Sequence, residues 1–290
     1  MTEVDPLRGE CAAQLSELAA HGGPLHRDSP RTTELLYTDD LDRRDFQAEV
    51  VEQYLARAEP AREARSAVLT AGAPGAGKST SLSEHVDEIE GYRQIDSDDI
   101  KDYLLKQALV DGIYDDLLER KLADGYPISP RELATLVHRE STNVVADIRS
   151  RCISRRENLI IEGTLTWAEE GVRIVEQLSS AGYVNVHIID VEVPFDVAAE
   201  QALSRWWGAR VADRTKDGAL GGRFVPPAAI QLSYGDEHPL STCATNARAL
   251  FDSEDAAQFP DLALTVIDRR GEESVSTFRR RLGGLLPDSR

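Results

Sequence analysis

The segment Gly72-Ala73-Pro74-Gly75-Ala76-Gly77-Lys78-Ser79, continuing into Thr80, constrains this chain more than any other. It matches G-x-x-x-x-G-K-[ST], a loop whose backbone N–H groups close around phosphate oxygens. Glycines are needed there because the backbone must take positive φ. Lys78 supplies a point charge to the outer phosphates, and Ser79 offers a hydroxyl to Mg²⁺. A helix after the loop presents its positive end to the same anion. With glycine at about 7% usage, such a match arises by chance in roughly one chain of this length in a hundred. A glycine-rich turn without function is the bland alternative. The apolar strand before the loop and the helical stretch after it, Ser79 to Ile89, favour a bound nucleoside triphosphate.

From Ala67 onward, apolar runs of strand length alternate with helical periodicity. The runs are Ala67 to Ala71, Tyr92 to Ile95, Leu159 to Ile161, Val184 to Val193 and Leu262 to Ile267. The pattern predicts an α/β fold: a parallel sheet of about five strands, of the P-loop NTPase type, with helices on both faces. Ligands of such sheets bind at the carboxyl ends of the strands. Residues 1–65 read as a helical N-terminal extension, with helices at Ala12 to Ala20 and Asp45 to Ala58, and 66–290 as the P-loop domain.

The chain has 290 residues and a formal net charge of −18. Nucleic acids and anionic membranes demand a basic footprint, so neither is expected as a partner. Cys11, Cys152 and Cys243 are odd in number and scattered, which argues against a disulfide framework or a zinc site. No basic-then-apolar signal opens the chain at Met1 to Asp5, and no apolar run has the length of a membrane span. A cytoplasmic location is the expectation.

The class of P-loop protein follows by exclusion. No asparagine is followed by lysine, so the guanine reader of a GTPase is absent, and no apolar strand ends in Asp-Glu as in motor-type ATPases. Small-molecule kinases remain. The second strand ends in Asp96-Ser97-Asp98, where one carboxylate can hold Mg²⁺ or its water shell and another can accept the proton of an attacking hydroxyl. A solvated acidic helix start is the alternative. On a helix expected over 132–151, Glu140 falls inside a stripe made by Leu133, Leu136, Val137, Val144 and Ile148. A carboxylate there needs a ligand or a buried ion-pair partner. Arg205 projects from a face of small residues, Ala198, Ala202 and Ala209, and Arg223 follows Gly221-Gly222. Arginines near a triphosphate stabilise the charge on a transferring group; for each, a surface arginine is the alternative.

Together these residues resemble the zeta-toxin family of P-loop kinases. The likeness runs from about Ser66 to Arg223, and more weakly to about Leu250. It rests on the order Gly72–Thr80, Asp96-Ser97-Asp98, Glu140, Glu162-Gly163-Thr164, Arg205 and Arg223. Val137-His138-Arg139-Glu140-Ser141 and Arg205-Trp206 look like actinobacterial members. The resemblance implies ATP-dependent phosphorylation of UDP-N-acetylglucosamine at the 3′-hydroxyl of its amino sugar, by a phosphotransferase with an alcohol acceptor in a toxin–antitoxin system. It implies Asp98 as general base, and Lys78, Arg205 and Arg223 on the transferring phosphoryl. Ser79 with Asp96 would hold Mg²⁺, and Asp98, Glu140, Glu162 and Thr164 would hold the sugar nucleotide. The stretches from Asp98 to Glu140 and from Arg205 to Arg223 are longer than in compact members, and a further threonine contact after Glu-Gly-Thr has no clear counterpart. Those departures surround the acceptor.

Two other readings stand beside this one. One is a P-loop kinase of a different small acceptor, such as an antibiotic, a sugar acid or a dinucleotide. The other is a regulatory ATP-binding module without transfer activity. The family also implies a helical antitoxin protein as partner, or inhibition in cis by residues 1–65. The helix around Asp45 to Ala58 would be that inhibitor, or a helix packed on the fold.

Overall fold

The computed structural model describes residues 6–63, 65–86, 88–216, 218–235 and 240–282. Met1 to Asp5, and Asp87 within the helix expected over Ser79 to Ile89, lie outside them. In chain order the elements are α1 (Pro6–Ala19), α2 (Thr33–Leu36), α3 (Leu41–Leu55), β1 (Ser66–Ala71), α4 (Lys78–His85), β2 (Arg93–Ile95), α5 (Ser97–Val110), α6 (Asp115–Leu118) and α7 (His138–Ser154). There follow β3 (Leu159–Ile161), α8 (Ala168–Ser180), β4 (Asn185–Glu192), α9 (Phe195–Asp213), α10 (Pro227–Gln231), α11 (Thr242–Asp252), β5 (Asp261–Asp268) and β6 (Ser274–Arg281).

The strands form one six-stranded sheet in the order β2-β3-β1-β4-β5-β6. The first five are mutually parallel, and β6 pairs antiparallel with β5. β1 lies between β3 and β4 with all six residues buried, as its unbroken apolar run requires. Because the chain leaves β1 for one side and returns later to the other, the carboxyl end of β1 is the topological switch point where a ligand crevice forms. The loop that leaves it is Gly72 to Gly77. Helices flank the sheet: α11 packs on β1, β4, β5 and α8, and α4 on β4.

The chain divides into two compact units. The sheet belongs to the unit made of Gln53–Asp96, Asp147–Ala199 and Ala228–Arg290. The other unit comprises Met1–Glu52, Ser97–Ala146 and Glu200–Pro227. Its core takes Cys11 and Leu15 from α1, Val50 and Val51 from α3, and Leu104, Leu105, Leu133 and Trp206. It also contains a fully buried ionic cluster. Arg210 reaches Asp124 at 2.8 Å and Glu132 at 2.9 Å, and the Trp206 indole donates to Glu132 at 2.8 Å. One arginine serves two carboxylates here, and the interior tolerates the cluster because the hydrogen-bonding sites of each group are used, Glu132 also accepting from the Ser129 N–H.

The sequence predicts five strands, each within a residue or two of a strand found here; β6 is additional. Its residues, Ser274-Val275-Ser276-Thr277-Phe278-Arg279-Arg280-Arg281, are exposed on both faces apart from a half-buried Arg280, so it lacks the apolar alternation that announces a strand. The single helix expected over 132–151 is in fact a 3₁₀ segment at Pro130–Val137 running into α7. Ser129 and Glu132 cap that segment reciprocally, and Pro130 begins it.

Candidate active site

Gly72, Gly75 and Gly77 have φ of +126°, +88° and +89°, so the loop uses backbone space that other residues reach only with strain. A Cβ on Gly72 would also lie 2.5 Å from the carbonyl oxygen of Val191, which forbids any larger residue there. Ala73 and Ala76 are buried, Pro74 is half-buried, and Ser79 and Thr80 are exposed at the start of α4. The Lys78 ammonium donates to the carbonyls of Gly72 at 2.8 Å and Ala73 at 3.0 Å. The lysine thus lies back along the loop, its charge held where phosphate oxygens would be received.

A second loop, after β3, is tied to the first. The Gly72 N–H donates to the Thr164 carbonyl at 3.0 Å, and Thr70 Oγ1 both accepts from the Gly163 N–H and donates to its carbonyl. Glu162 lies between Ser79, whose hydroxyl donates to it at 3.4 Å, and Gln94, whose amide also donates to it. A hydroxyl and a carboxylate at the head of the phosphate loop form a hard-oxygen pair of the kind Mg²⁺ takes while keeping several waters. Asp96 is half-buried at the end of β2 in the same compact unit.

Asp190 also belongs to this unit. It lies on β4 in register with Ala71, is 1% exposed, and neither carboxylate oxygen has a hydrogen-bond partner among the described residues. Burial, with Glu192 nearby, pushes its carboxyl up to about 8, so it is mostly protonated at neutral pH. Nothing in the run His187-Ile188-Ile189-Asp190 announces this except a charge inside an apolar strand. A cavity of about 250 Å³ opens at the carboxyl ends of β4 and β5, lined among others by Glu192, Phe195, Tyr234, Ser241 and Arg270. None of its lining residues belongs to the phosphate loop.

The other compact unit holds a cluster of acids and bases. Asp98 begins α5, and its carboxylate accepts from Arg223 at 2.5 Å and from Lys101 at 2.9 Å. Arg223 also donates to the Asp98 carbonyl at 2.9 Å and to Asp102 at 3.2 Å, while Arg131 holds Asp102. Burial alone would raise the Asp98 carboxyl, but Lys101, Arg223 and Arg205 outweigh it and bring it to about 2. The Gly221-Gly222 turn explains how Arg223 is placed. A Cβ on Gly222 would lie 2.2 Å from the Trp206 carbonyl oxygen, so only glycine lets the chain pass that closely. Arg205 is exposed and makes no ion pair among the described residues. The helix buries Ala198, Ala202, Trp206 and Arg210, and Arg205 lies one step off that face. Lys101, Asp102 and Arg131 were not singled out by sequence; their spacing carries no motif.

Glu140, in the same unit, is 3% exposed. Arg43 grips its carboxylate at 2.7 and 2.9 Å, and the Gln47 amide donates to it at 2.8 Å. The arginine is itself packed on Tyr37 and Phe46, with 4.2 and 4.8 Å from Cζ to the ring centroids. The carboxylate on the core-facing stripe therefore meets its need for a partner within the chain, through α3.

Among the described residues, no helix is long and apolar enough to cross a membrane. No curated protein matches the chain by sequence. Among solved structures, the chain resembles one from the PezAT chromosomal toxin–antitoxin system of Streptococcus pneumoniae, at 17% identity and a TM-score of 0.55, covering 84% of this chain and 81% of that one. It also resembles a chain of the AvrRxo1-ORF1:AvrRxo1-ORF2 complex with sulphate ions, at 15% identity and a TM-score of 0.56, covering 87% and 73%. At those identities the likeness is one of fold. The zeta toxin family model matches residues 51–275, well over half of the 290 residues and including the phosphate loop, the Asp-x-Asp segment, Glu162 and both arginines: the chain is a member of the zeta toxin family.

Proposed function

We propose that this protein is an ATP-dependent kinase that phosphorylates an alcohol group of a small acceptor, with UDP-N-acetylglucosamine, at the 3′-hydroxyl of its amino sugar, as the acceptor the family resemblance favours. The observation that carries the reading is the phosphate loop, with Lys78 drawn along its carbonyls and Ser79 beside Glu162. Lys78, Arg205 and Arg223 neutralise the transferring phosphoryl, and Asp98 takes the proton of the attacking hydroxyl. Gly72, Ala73, Pro74, Gly75, Ala76, Gly77 and Thr80 cradle the phosphates. Ser79 and Glu162, with Asp96, would hold Mg²⁺, which supplies charge neutralisation at the β- and γ-phosphates. Thr164 and Glu162 would contact the acceptor, in which case Mg²⁺ is left to Ser79 and Asp96. Little covalent chemistry is asked of the protein, so position and charge supply most of the rate.

One observation favours a different acceptor. Glu140, a sugar-nucleotide ligand in the reading from family resemblance, is held by Arg43 and Gln47. A kinase of another small alcohol would make no demand on it. As a family member the chain would act as the toxin of a pair, with a helical antitoxin as partner.

The deciding experiment incubates the full chain with isotopically labelled ATP, Mg²⁺ and a panel of acceptors that includes UDP-N-acetylglucosamine, read by mass spectrometry. A 3′-phosphorylated sugar nucleotide from the wild type, lost in Asp98→Asn and Lys78→Ala, is expected. Label on a different acceptor moves the assignment to that compound. No label on any acceptor, with ATP still bound, leaves a regulatory nucleotide-binding module.

A further inference from the structure

β5 ends at Asp268, and the side chain of the next residue, Arg269, lies against the phosphate loop, within the same compact unit. A Cβ on Gly77 would sit 3.4 Å from its Nη1, so the guanidinium covers the bare side of the glycine that opens α4. The same Nη1 donates to Ser81 Oγ at 3.3 Å. Ser81 is fully buried, and its hydroxyl in turn donates to the Gly77 carbonyl at 3.3 Å, beside the bond that the Ser81 N–H makes to the same oxygen at 3.1 Å. Arg269 is itself fixed at both ends. Its backbone N–H donates to the Glu192 carbonyl at 2.7 Å, and its Nε meets Glu273 at 2.5 Å. A chain of bonds thus runs from the end of β5 through a buried hydroxyl to the carbonyl of Gly77.

In the free protein this is an unfavourable place for an arginine. The start of a helix carries the positive end of its dipole, and cations are stabilised at the other end. Lys78, the first residue of α4, adds a second charge of the same sign. Glu273 and, at 3.8 Å, Glu84 offset the guanidinium, but both are exposed, and exposed pairs contribute little. A guanidinium kept here gains once an anion occupies the loop. Gly77 is also the residue at which the backbone turns from loop into helix, at φ +89°. The N–H groups of the loop converge on phosphate oxygens only while that turn is held, so a brace on its carbonyl bears directly on how well the cradle is formed before the donor arrives.

We propose that Arg269 is a positioning residue for the phosphoryl donor, acting through Ser81 on the backbone of Gly77 to set the cradle that receives the phosphates. The proposal rests on the reading of the chain as an ATP-dependent kinase. Arg205 and Arg223 lie in the other compact unit, and Arg269 adds a third arginine whose effect falls on the donor alone. Because it works on the loop, that effect follows the phosphate chain and is indifferent to the base and ribose attached to it.

The test compares the binding of Mg-ATP and of Mg-tripolyphosphate, which has neither base nor ribose, by titration calorimetry. The full chain is measured beside Arg269→Ala, Ser81→Ala and the double variant. Each single change is expected to weaken both probes by the same factor, roughly five- to fiftyfold. The double variant should be little worse than the weaker single one, because the two residues act in one chain. Arg269→Lys, which keeps a cation over Gly77, should recover part of the affinity. In turnover, Arg269→Ala should raise KM for ATP and leave KM for the acceptor unchanged. Circular dichroism of the free variants shows whether they fold; should Arg269→Ala not fold, Ser81→Ala, which removes a single oxygen, decides the matter. Loss of ATP affinity with tripolyphosphate affinity intact would make Arg269 a contact for the base or ribose and overturn the proposal. So would ATP binding unmoved in Arg269→Ala, or losses in the two single variants that simply add. A wild type that binds neither probe removes the nucleotide reading and the proposal with it. A wild type that binds ATP but labels no acceptor removes only the kinase reading, and the role of Arg269 is still decided by the titrations.

Discussion

Arg223 holds Asp98 at two places, its carboxylate at 2.5 Å and its backbone carbonyl at 2.9 Å. An aspartate so paired is a weak base that stays ionised, at about 2, through the whole physiological range. That suits phosphoryl transfer through a loose transition state, where the proton leaves the attacking hydroxyl late. Asp98→Asn should lower turnover by about 10²- to 10⁴-fold and leave ATP binding intact. Since the carboxyl is depressed, its protonated form is reached only as pH falls toward 2, and no acid limb from Asp98 should appear in kcat/KM above about pH 4. Arg223→Ala should move that limb upward while reducing kcat. A wild-type limb near pH 6 assigned to Asp98 would contradict the pairing.

Lys78 should separate binding from fold. At a hundredfold excess over Kd, Mg-ATP stabilises a single-site protein by about 2.7 kcal/mol, on the order of 5 °C for a chain of this size. Lys78→Ala should keep the Tm of the free protein and lose most of that shift. Scanning fluorimetry with and without nucleotide reads both quantities, and an undiminished shift would remove Lys78 from the phosphate site.

Asp190 gives a pH signature of stability. Its folded-state carboxyl lies at about 8, above the open-chain value of 3.8. Between those values the folded protein keeps a proton that the unfolded chain releases, so stability falls as pH rises from about 4 to about 8. The slope is at most about 1.4 kcal/mol per pH unit, and it vanishes above the folded value. Asp190→Asn should flatten this limb and be the more stable protein at pH 8. Urea unfolding at pH 5, 6.5 and 8 decides the matter; parallel curves for the two proteins would mean that Asp190 finds a partner when ionised.

The pair of Arg43 and Glu140 predicts what the N-terminal helices do. Removing one partner of a buried pair costs about 3–5 kcal/mol, so Arg43→Ala and Glu140→Ala should each destabilise strongly, and replacing both with methionine should cost less than the two single changes added. A double-mutant cycle by chemical denaturation measures the coupling. By the same argument, deletion of residues 1–60 should yield a poorly folded chain with no activity. A truncated protein that folds and arrests growth more strongly than the full chain would establish inhibition in cis instead.

Much of the sheet was legible because its information is local. β1, β3 and β4 are apolar runs, and the glycine loop follows β1 without a gap. β6 was not legible because it is polar and exposed and is held by its backbone pairing to β5. The segment at Pro130–Val137 has helical periodicity but coils more tightly, which a stripe of apolar residues cannot distinguish. Among the candidate residues, Lys78, Ser79 and Asp98 stand out from motif and position. What their neighbours do is non-local: Arg43 lies 97 residues from Glu140, and Arg223 lies 125 from Asp98. Pattern flagged Glu140 as a carboxylate in need of a partner but could not say whether that partner was a ligand or an arginine.

The two margins of the sheet bear on how copies of this protein meet. At one side the last strand, β2, is only three residues long, too short a template for another chain to extend. At the other, β6 offers eight residues of open backbone but ends in three consecutive arginines, engaged by Asp261 and Asp252. A second molecule pairing its β6 in parallel would set arginines against arginines. Brevity, with the Tyr54 hydroxyl of α3 donating to the outward carbonyl of Gln94 at 2.6 Å, guards one rim, and charge at the end of β6 disfavours pairing at the other.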